Sequence, residues 1–252
     1  MLDTAVIPCG GLGTRLQPIT RWLPKELLPV GLRPVLCWTL DEIADAGLLR
    51  AILITSPLKP ALETAARTYQ GPLELEFVAQ QRPRGLGDAF LHARDLLEGA
   101  PFAAILPEFL FRGPNPTRAV VDVHRDGGLA AALVAAPNGP FPPGRSGARP
   151  ATVREAGEGL QVTDVAVDAE PLNGGGRPAR LLGRFVFPGD VFAELEATAR
   201  EAPAGTEVDG LAVLRGLARR GQLAGARSEA AWYEVGLPDG YRSAVADFPA
   251  RA

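Results

Sequence analysis

The run from Ile7 to Gly31, IPCGGLGTRLQPITRWLPKELLPVG, gathers the residues of this chain best suited to hold an anion. Gly10, Gly11 and Gly13 let a backbone turn approach a phosphate closely, so that successive N–H groups point at it. Thr14 and Arg15 follow directly, and an arginine fork adds a bidentate, charge-assisted contact. Further on, Lys25 stands next to Pro24 with Pro29 beyond it, and the two prolines restrict the backbone on either side. The chain has only two lysines, Lys25 and Lys59, so a lysine fixed in this way stands out. A dinucleotide fingerprint fails here, because Leu16 replaces its last glycine, and a P-loop fails because the run ends in Gly13-Thr14-Arg15. Strand-to-helix turns also use glycine for steric reasons, and proline-rich surface loops also carry lysine. The residues alone therefore leave a phosphate cradle and a plain turn both open.

The surrounding pattern supplies the frame. Apolar bursts at residues 4–7, 51–55, 75–79, 103–106 and 129–135 read as strands. Helical periodicity at 34–49, 60–69, 86–97 and 117–125 alternates with them. Such alternation predicts βαβ units: an α/β fold with a Rossmann-like mixed, mostly parallel sheet flanked by helices. In that architecture ligands bind at the carboxyl ends of the strands, which is where the glycine loop falls. Residues 137–150 form a proline- and glycine-rich stretch expected to be loop. Beyond it the pattern gives strands at 160–167 and 181–187, helices at 190–200 and 211–219, and a short strand at 223–226. One domain spans 1–252, with a first half at 1–136 and a C-terminal part at 137–252.

Composition excludes several classes. With 46% hydrophobic and 22% charged residues the chain can build a core, so disorder is not expected. The net charge of −3, without a long run of one sign, argues against nucleic acid as a partner. Two cysteines, Cys9 and Cys37, make no disulfide framework and fit reduced thiols in a cytoplasm. No basic n-region opens the chain, and no stretch reaches the roughly 20 apolar residues of a membrane helix. His92 and His124 sit on helical patterns and read as surface or packing residues.

The glycine-to-proline run resembles the signature of the sugar-1-phosphate nucleotidylyltransferases, GGxGTRLxPxTxxxPKxxLPV. It is most similar to the bacterial UTP–glucose-1-phosphate uridylyltransferase branch. Further matches follow in order: QQRPRGLGDA at 80–89, PFAAILPE at 101–108, GRFV at 183–186 and WYEVGLPDGY at 232–241. The resemblance implies joining UTP to a hexose 1-phosphate with release of pyrophosphate, assisted by Mg²⁺. It implies that Gly10, Gly11, Gly13 and Thr14 face the triphosphate. Arg15 would hold the leaving phosphates and Lys25 the α-phosphate and attacking oxygen. Gln80 would read the pyrimidine edge while Gly85 lets the base lie flat; Asp168 would face the sugar, and Gly183 would belong to the substrate-binding set. Homo-oligomeric assembly is a further implication.

Several positions depart from the family pattern. Its two metal-binding aspartates are replaced by Glu108 and Glu234, each one methylene longer. Its sugar-phosphate lysine is missing: the matching run is Val167-Asp168-Ala169-Glu170, or Glu170-Pro171 with a one-residue shift. Arg177, Arg180 or Arg184 could replace that charge, although Arg177 and Arg180 also read as solvated loop residues. Asp88 stands in place of a histidine, Leu32 in place of an aspartate, and Glu207-Val208-Asp209-Gly210 in place of Q-L-T-D. A homologue that binds nucleotide or UDP-sugar as a regulatory or partner subunit, without turnover, is thus the alternative to an active transferase.

Overall fold

The computed structural model describes residues 1–135, 148–167, 171–203 and 205–248. Asp168, Ala169 and Glu170 lie outside these residues, as does most of the 137–150 stretch.

The chain opens with β1 (Thr4–Pro8), the glycine loop and three short 3-10 turns, then β2 (Pro29–Val30), β3 (Arg33–Pro34) and α1 (Val35–Asp45). There follow β4 (Arg50–Thr55), α2 (Pro60–Ala66), β5 (Glu74–Ala79), α3 (Leu86–Leu91), α4 (Arg94–Leu97) and β6 (Phe102–Ile105). The middle of the chain forms β7 (Phe109–Arg112), α5 (Pro116–Gly127), β8 (Ala130–Ala135), β9 (Arg149–Ala156), β10 (Gly159–Val165) and β11 (Arg177–Phe187). The last elements are α6 (Val191–Glu201), α7 (Gly210–Arg219), β12 (Leu223–Arg227), β13 (Ala231–Glu234) and α8 (Pro238–Asp247).

Nine strands form one sheet in the order β5-β4-β1-β6-β11-β8-β12-β10-β9. All run one way except β10 and β11, so the sheet is mixed and mostly parallel, as expected. Its centre is apolar on both faces because helices cover both. Strand alternation sorts the side chains: Val6, Ile52 and Ile54 pack with Phe90, Phe102 and Phe187 beneath α3, α6 and α7. Ala5, Ile7, Ala51 and Leu53 face the other way, against Leu36, Leu40 and Ile43 of α1 and Val120 of α5. A smaller apolar cluster joins Leu28 and Val30 to Tyr233, Val235 and Ala244.

Three expectations shift. The helix expected over 86–97 is broken after Leu91, where the Ala93 N–H turns back to the Phe90 carbonyl at 2.9 Å. Strand β9 was not anticipated; its outer positions are polar, and it is completed only by pairing with β10 and β11. The ribbon of β7 and β13, pairing Glu234 with Phe109, was likewise unforeseen. Both strands have four residues, too few for a period to register.

Candidate active site

At the carboxyl end of β1, the Cys9 N–H still donates to the Ile54 carbonyl at 2.8 Å, and Leu16 N–H closes a turn on the Gly13 carbonyl at 3.0 Å. Between them, the N–H groups of residues 10–13 donate to no backbone carbonyl among the described residues. An amide row of this kind is an anion cradle. Gly13 takes a left-handed φ of 66°, and Thr20 Oγ1 donates to its carbonyl at 2.8 Å, fixing the loop's far side. Thr14 and Arg15 are exposed at the rim.

The Pro24–Leu28 segment is held under this loop by the second lysine. Lys59 Nζ donates to the Cys9 carbonyl at 2.8 Å and to both carboxylate oxygens of Glu26, at 3.1 and 2.9 Å. Lys59 and Glu26 are both buried. Two segments 33 residues apart in sequence are thus clamped by an ion pair with a backbone acceptor. Lys25, next to Glu26, consequently projects beneath the cradle: a methyl group placed on Gly11 would lie 3.9 Å from its Nζ. The Lys59 clamp escaped the sequence reading, although a second lysine in so lysine-poor a chain was a signal for it.

Two carboxylates meet Lys25 and Arg15. Glu108 ends the turn after β6 and directly precedes β7; Glu234 is the last residue of β13. The β7–β13 register, together with Val235 N–H donating to the Glu108 carbonyl at 2.8 Å, sets them side by side. Lys25 Nζ donates to Glu108 Oε2, and Arg15 Nη1 to Glu234 Oε1 at 3.3 Å. Burial works against charge on both Lys25 and Glu108, but their mutual attraction prevails, raising the lysine and lowering the carboxyl. Glu234 goes the other way: burial, then repulsion from Glu108, pushes its carboxyl up to about 7. Its Oε2 is buried without a hydrogen-bond partner among the described residues.

That orphaned oxygen beside a second carboxylate fits a divalent cation, which would satisfy the acceptor and relieve the repulsion. No group of three or more His, Cys, Asp or Glu side chains suited to a metal occurs among the described residues. Further ligands would come from phosphate oxygens and water, as is usual for Mg²⁺.

The turn bearing Glu108 is braced from behind. Gly183 has φ 67°, and a side chain there would meet the Phe109 ring at 2.6 Å. Its carbonyl accepts from Leu106 N–H at 2.9 Å. Arg184 is fully buried. Its guanidinium donates to both Glu42 oxygens, at 2.7 and 2.8 Å, to the Leu106 carbonyl at 2.7 Å and to the Phe109 carbonyl at 2.9 Å. Gly183 therefore lies behind the Glu108 turn. Arg184 is committed to the fold and does not stand in for the missing lysine. Arg177 is paired with Glu155 at 2.9 Å, and Arg180 donates to the Ala148 carbonyl at 3.3 Å.

The cavity itself measures about 890 Å³, a size that admits a nucleotide with a sugar. Gly10, Gly11, Lys25 and Glu108 line one end, and Gln80 and Gly85 border it as well. Gln80 Nε2 donates to Asp88 Oδ2 at 2.7 Å and to the Gly85 carbonyl at 3.3 Å. A methyl group on Gly10 would lie 2.6 Å from Gln80 Oε1, so glycine there lets the loop pass against the amide. Gly85 has φ 92°, and its Cβ would meet the Val208 carbonyl at 2.7 Å. Here the 84–87 loop is stitched to the wall before α7 by Val208 N–H to the Arg84 carbonyl at 2.7 Å and Gly87 N–H to the Val208 carbonyl at 2.9 Å. Arg149, at the start of β9, and Glu201 and Glu207 also line the cavity; none of the three was anticipated as a site residue.

Comparison with known proteins gives a consistent set of likenesses. Residues 4–140 match the nucleotidyl transferase family. The chain is 26% identical over 270 residues to UTP–glucose-1-phosphate uridylyltransferase 2 of Streptococcus pyogenes serotype M3, covering 97% of this chain and 89% of that one. It superimposes on a UDP-glucose pyrophosphorylase complexed with UDP-glucose with a TM-score of 0.83 at 22% identity, over 98% of both chains. A UTP-bound enzyme of the same kind from Acinetobacter baumannii gives 0.78 at 23% identity, over 98% of this chain and 93% of that one.

Proposed function

The chain belongs to the nucleotidyl transferase family, and from that premise we propose that it joins UTP to a hexose 1-phosphate, releasing pyrophosphate and forming a UDP-sugar. The supporting observation is convergence: unpaired loop amides, Lys25, Arg15 and two carboxylates meet beside a cavity large enough for both substrates, with Gly10, Gly11, Lys25 and Glu108 in its lining. The likeness to uridylyltransferases and to UTP- and UDP-glucose-bound structures points the same way.

In this reading the sugar-phosphate oxygen attacks the α-phosphorus in line, and the bond from that phosphorus to the bridging oxygen of pyrophosphate breaks. The nucleophile is already an anion, so no general base is required; catalysis is positioning and charge stabilisation. Amides 10–13 receive phosphate oxygens. Lys25 exchanges Glu108 for the phosphate at the reacting centre. Arg15, exposed at the rim, leaves Glu234 for the departing pyrophosphate. Glu108 and Glu234, so released, would hold a divalent cation, Mg²⁺ by resemblance, which would neutralise phosphate charge when bound. Gln80, oriented by Asp88, meets the edge of the base. Asp168 is proposed for the sugar hydroxyls on the family pattern alone.

The reading is tested by pyrophosphate release across nucleoside triphosphates and hexose 1-phosphates, with the divalent cation titrated. UTP should exceed the other triphosphates. Absence of release from every pair would leave a nucleotide-binding protein without turnover.

A further inference from the structure

A hexose 1-phosphate brings a dianion to the sugar end of the cavity, and the family's lysine for it is missing. We propose that Arg149 is the cation that receives the sugar-linked phosphate, an assignment that rests on the transferase reading above. Among the described residues that line the cavity, only Lys25 and Arg149 carry positive charge, and Lys25 is already engaged by Glu108.

The position follows from strand alternation. Residues 149, 151 and 153 share one face of β9. Ala151 and Val153 are buried in the same apolar cluster as Ala89 and Leu211. Ala89 and Leu211 are also at the cavity edge, so Arg149 comes out on the core face where the core gives way to the cavity. Its aliphatic stem can lie along that apolar margin while the guanidinium enters the opening. Backbone pairing with Leu181 of β11 fixes the strand there.

The guanidinium is also uncommitted. No hydrogen bond or ion pair engages it among the described residues, although Glu201, Glu207 and Asp209 line the same cavity. The other arginines considered for the role are spent: Arg184 on Glu42, Arg177 on Glu155. An arginine in this place changes the chemistry. Its planar fork grips two oxygens of one phosphate, whereas an ammonium is a point charge, so geometry as well as charge selects the phosphate.

The test separates the two substrates. In the whole protein Arg149→Ala should raise KM for the hexose 1-phosphate by about ten- to a hundredfold, the range for a lost charge-assisted contact, with KM for UTP changed less than twofold. Arg149→Lys should recover part of the loss. Titration calorimetry with UDP-glucose and with UTP supplies a readout independent of turnover: the alanine variant should bind UDP-glucose at least tenfold more weakly and UTP as the wild type does. If wild type releases no pyrophosphate but its UDP-glucose affinity still depends on Arg149, the transferase reading falls and the assignment stands. If wild type is active and the alanine variant keeps its sugar-phosphate KM and UDP-glucose affinity within threefold, the assignment falls and the transferase reading stands. Equal losses for UTP and for sugar phosphate would also overturn it, as the sign of a general collapse of the cavity.

Discussion

The two lysines of the chain divide cleanly between chemistry and architecture. Lys25 faces the cradle with a carboxylate that it can trade for phosphate, while Lys59 is sealed beneath it with Glu26. Lys25→Ala should therefore lower kcat by about 10²–10³, the cost of removing one preorganised charge from a transition state, with the circular dichroism spectrum unchanged. Glu234 gives a prediction with a definite sign. Its folded pKa of about 7 lies above the ordinary value of 4.5, so between those values the folded state holds a proton that the unfolded state has released. Without divalent cation, stability should fall as pH rises from about 4.5 to 7. Glu234→Gln should remove that fall, making the variant the more stable protein at pH 8 while it loses activation by the cation. Melting temperatures of both proteins across this pH range, in chelator, are the check; parallel curves would show that Glu234 does not titrate in the fold.

At the scale of elements, what positions the site is a set of braces between segments distant in sequence. Lys59→Met would leave the Glu26 carboxylate buried and unpaired, at a cost of about 3–5 kcal/mol in urea unfolding; replacing both residues by apolar ones should recover much of it. Gly183→Ala puts a Cβ into the Phe109 ring at a positive φ. It should cost about 1–3 kcal/mol and, by displacing the turn that carries Glu108, weaken activation by divalent cation more than it weakens UTP binding. These braces also mark where sequence reading runs out. Strands β1, β4 and β6 are legible because each is a run of apolar residues buried on both faces. The cradle and Lys25 are legible because their residues are close in sequence and chemically unusual. By contrast, the Lys59–Glu26 clamp, the β7–β13 ribbon and the support of Arg184 behind Glu108 exist only through tertiary pairing. No local period encodes them: the Gly183 carbonyl and the Arg184 guanidinium reach the turn that carries Glu108 from a strand far along the chain. Arg149 is hidden for a related reason: β9 has polar outer positions and begins inside the proline- and glycine-rich 137–150 stretch that reads as loop.

For the molecule as a whole, the sheet joins a parallel half that ends in the cradle to a second half whose strand β9 brings Arg149 to the same cavity. Substrates with opposite requirements, a triphosphate and a sugar phosphate, can thus be held on one rigid sheet with the reacting atoms between them. The replacement of two aspartates by glutamates does not scatter the carboxylates: Glu108 and Glu234 still lie side by side, within reach of Lys25 and Arg15. No helix among the described residues is long and apolar enough to cross a membrane. The central claim is transfer of the nucleotidyl group, and following the α-phosphorus tests it most directly. UTP labelled at the α-phosphate, incubated with a hexose 1-phosphate and divalent cation and then separated by chromatography, should yield its label in a UDP-sugar, with unlabelled pyrophosphate in equal amount. Label recovered only as UTP, or as UMP from hydrolysis, would contradict the account.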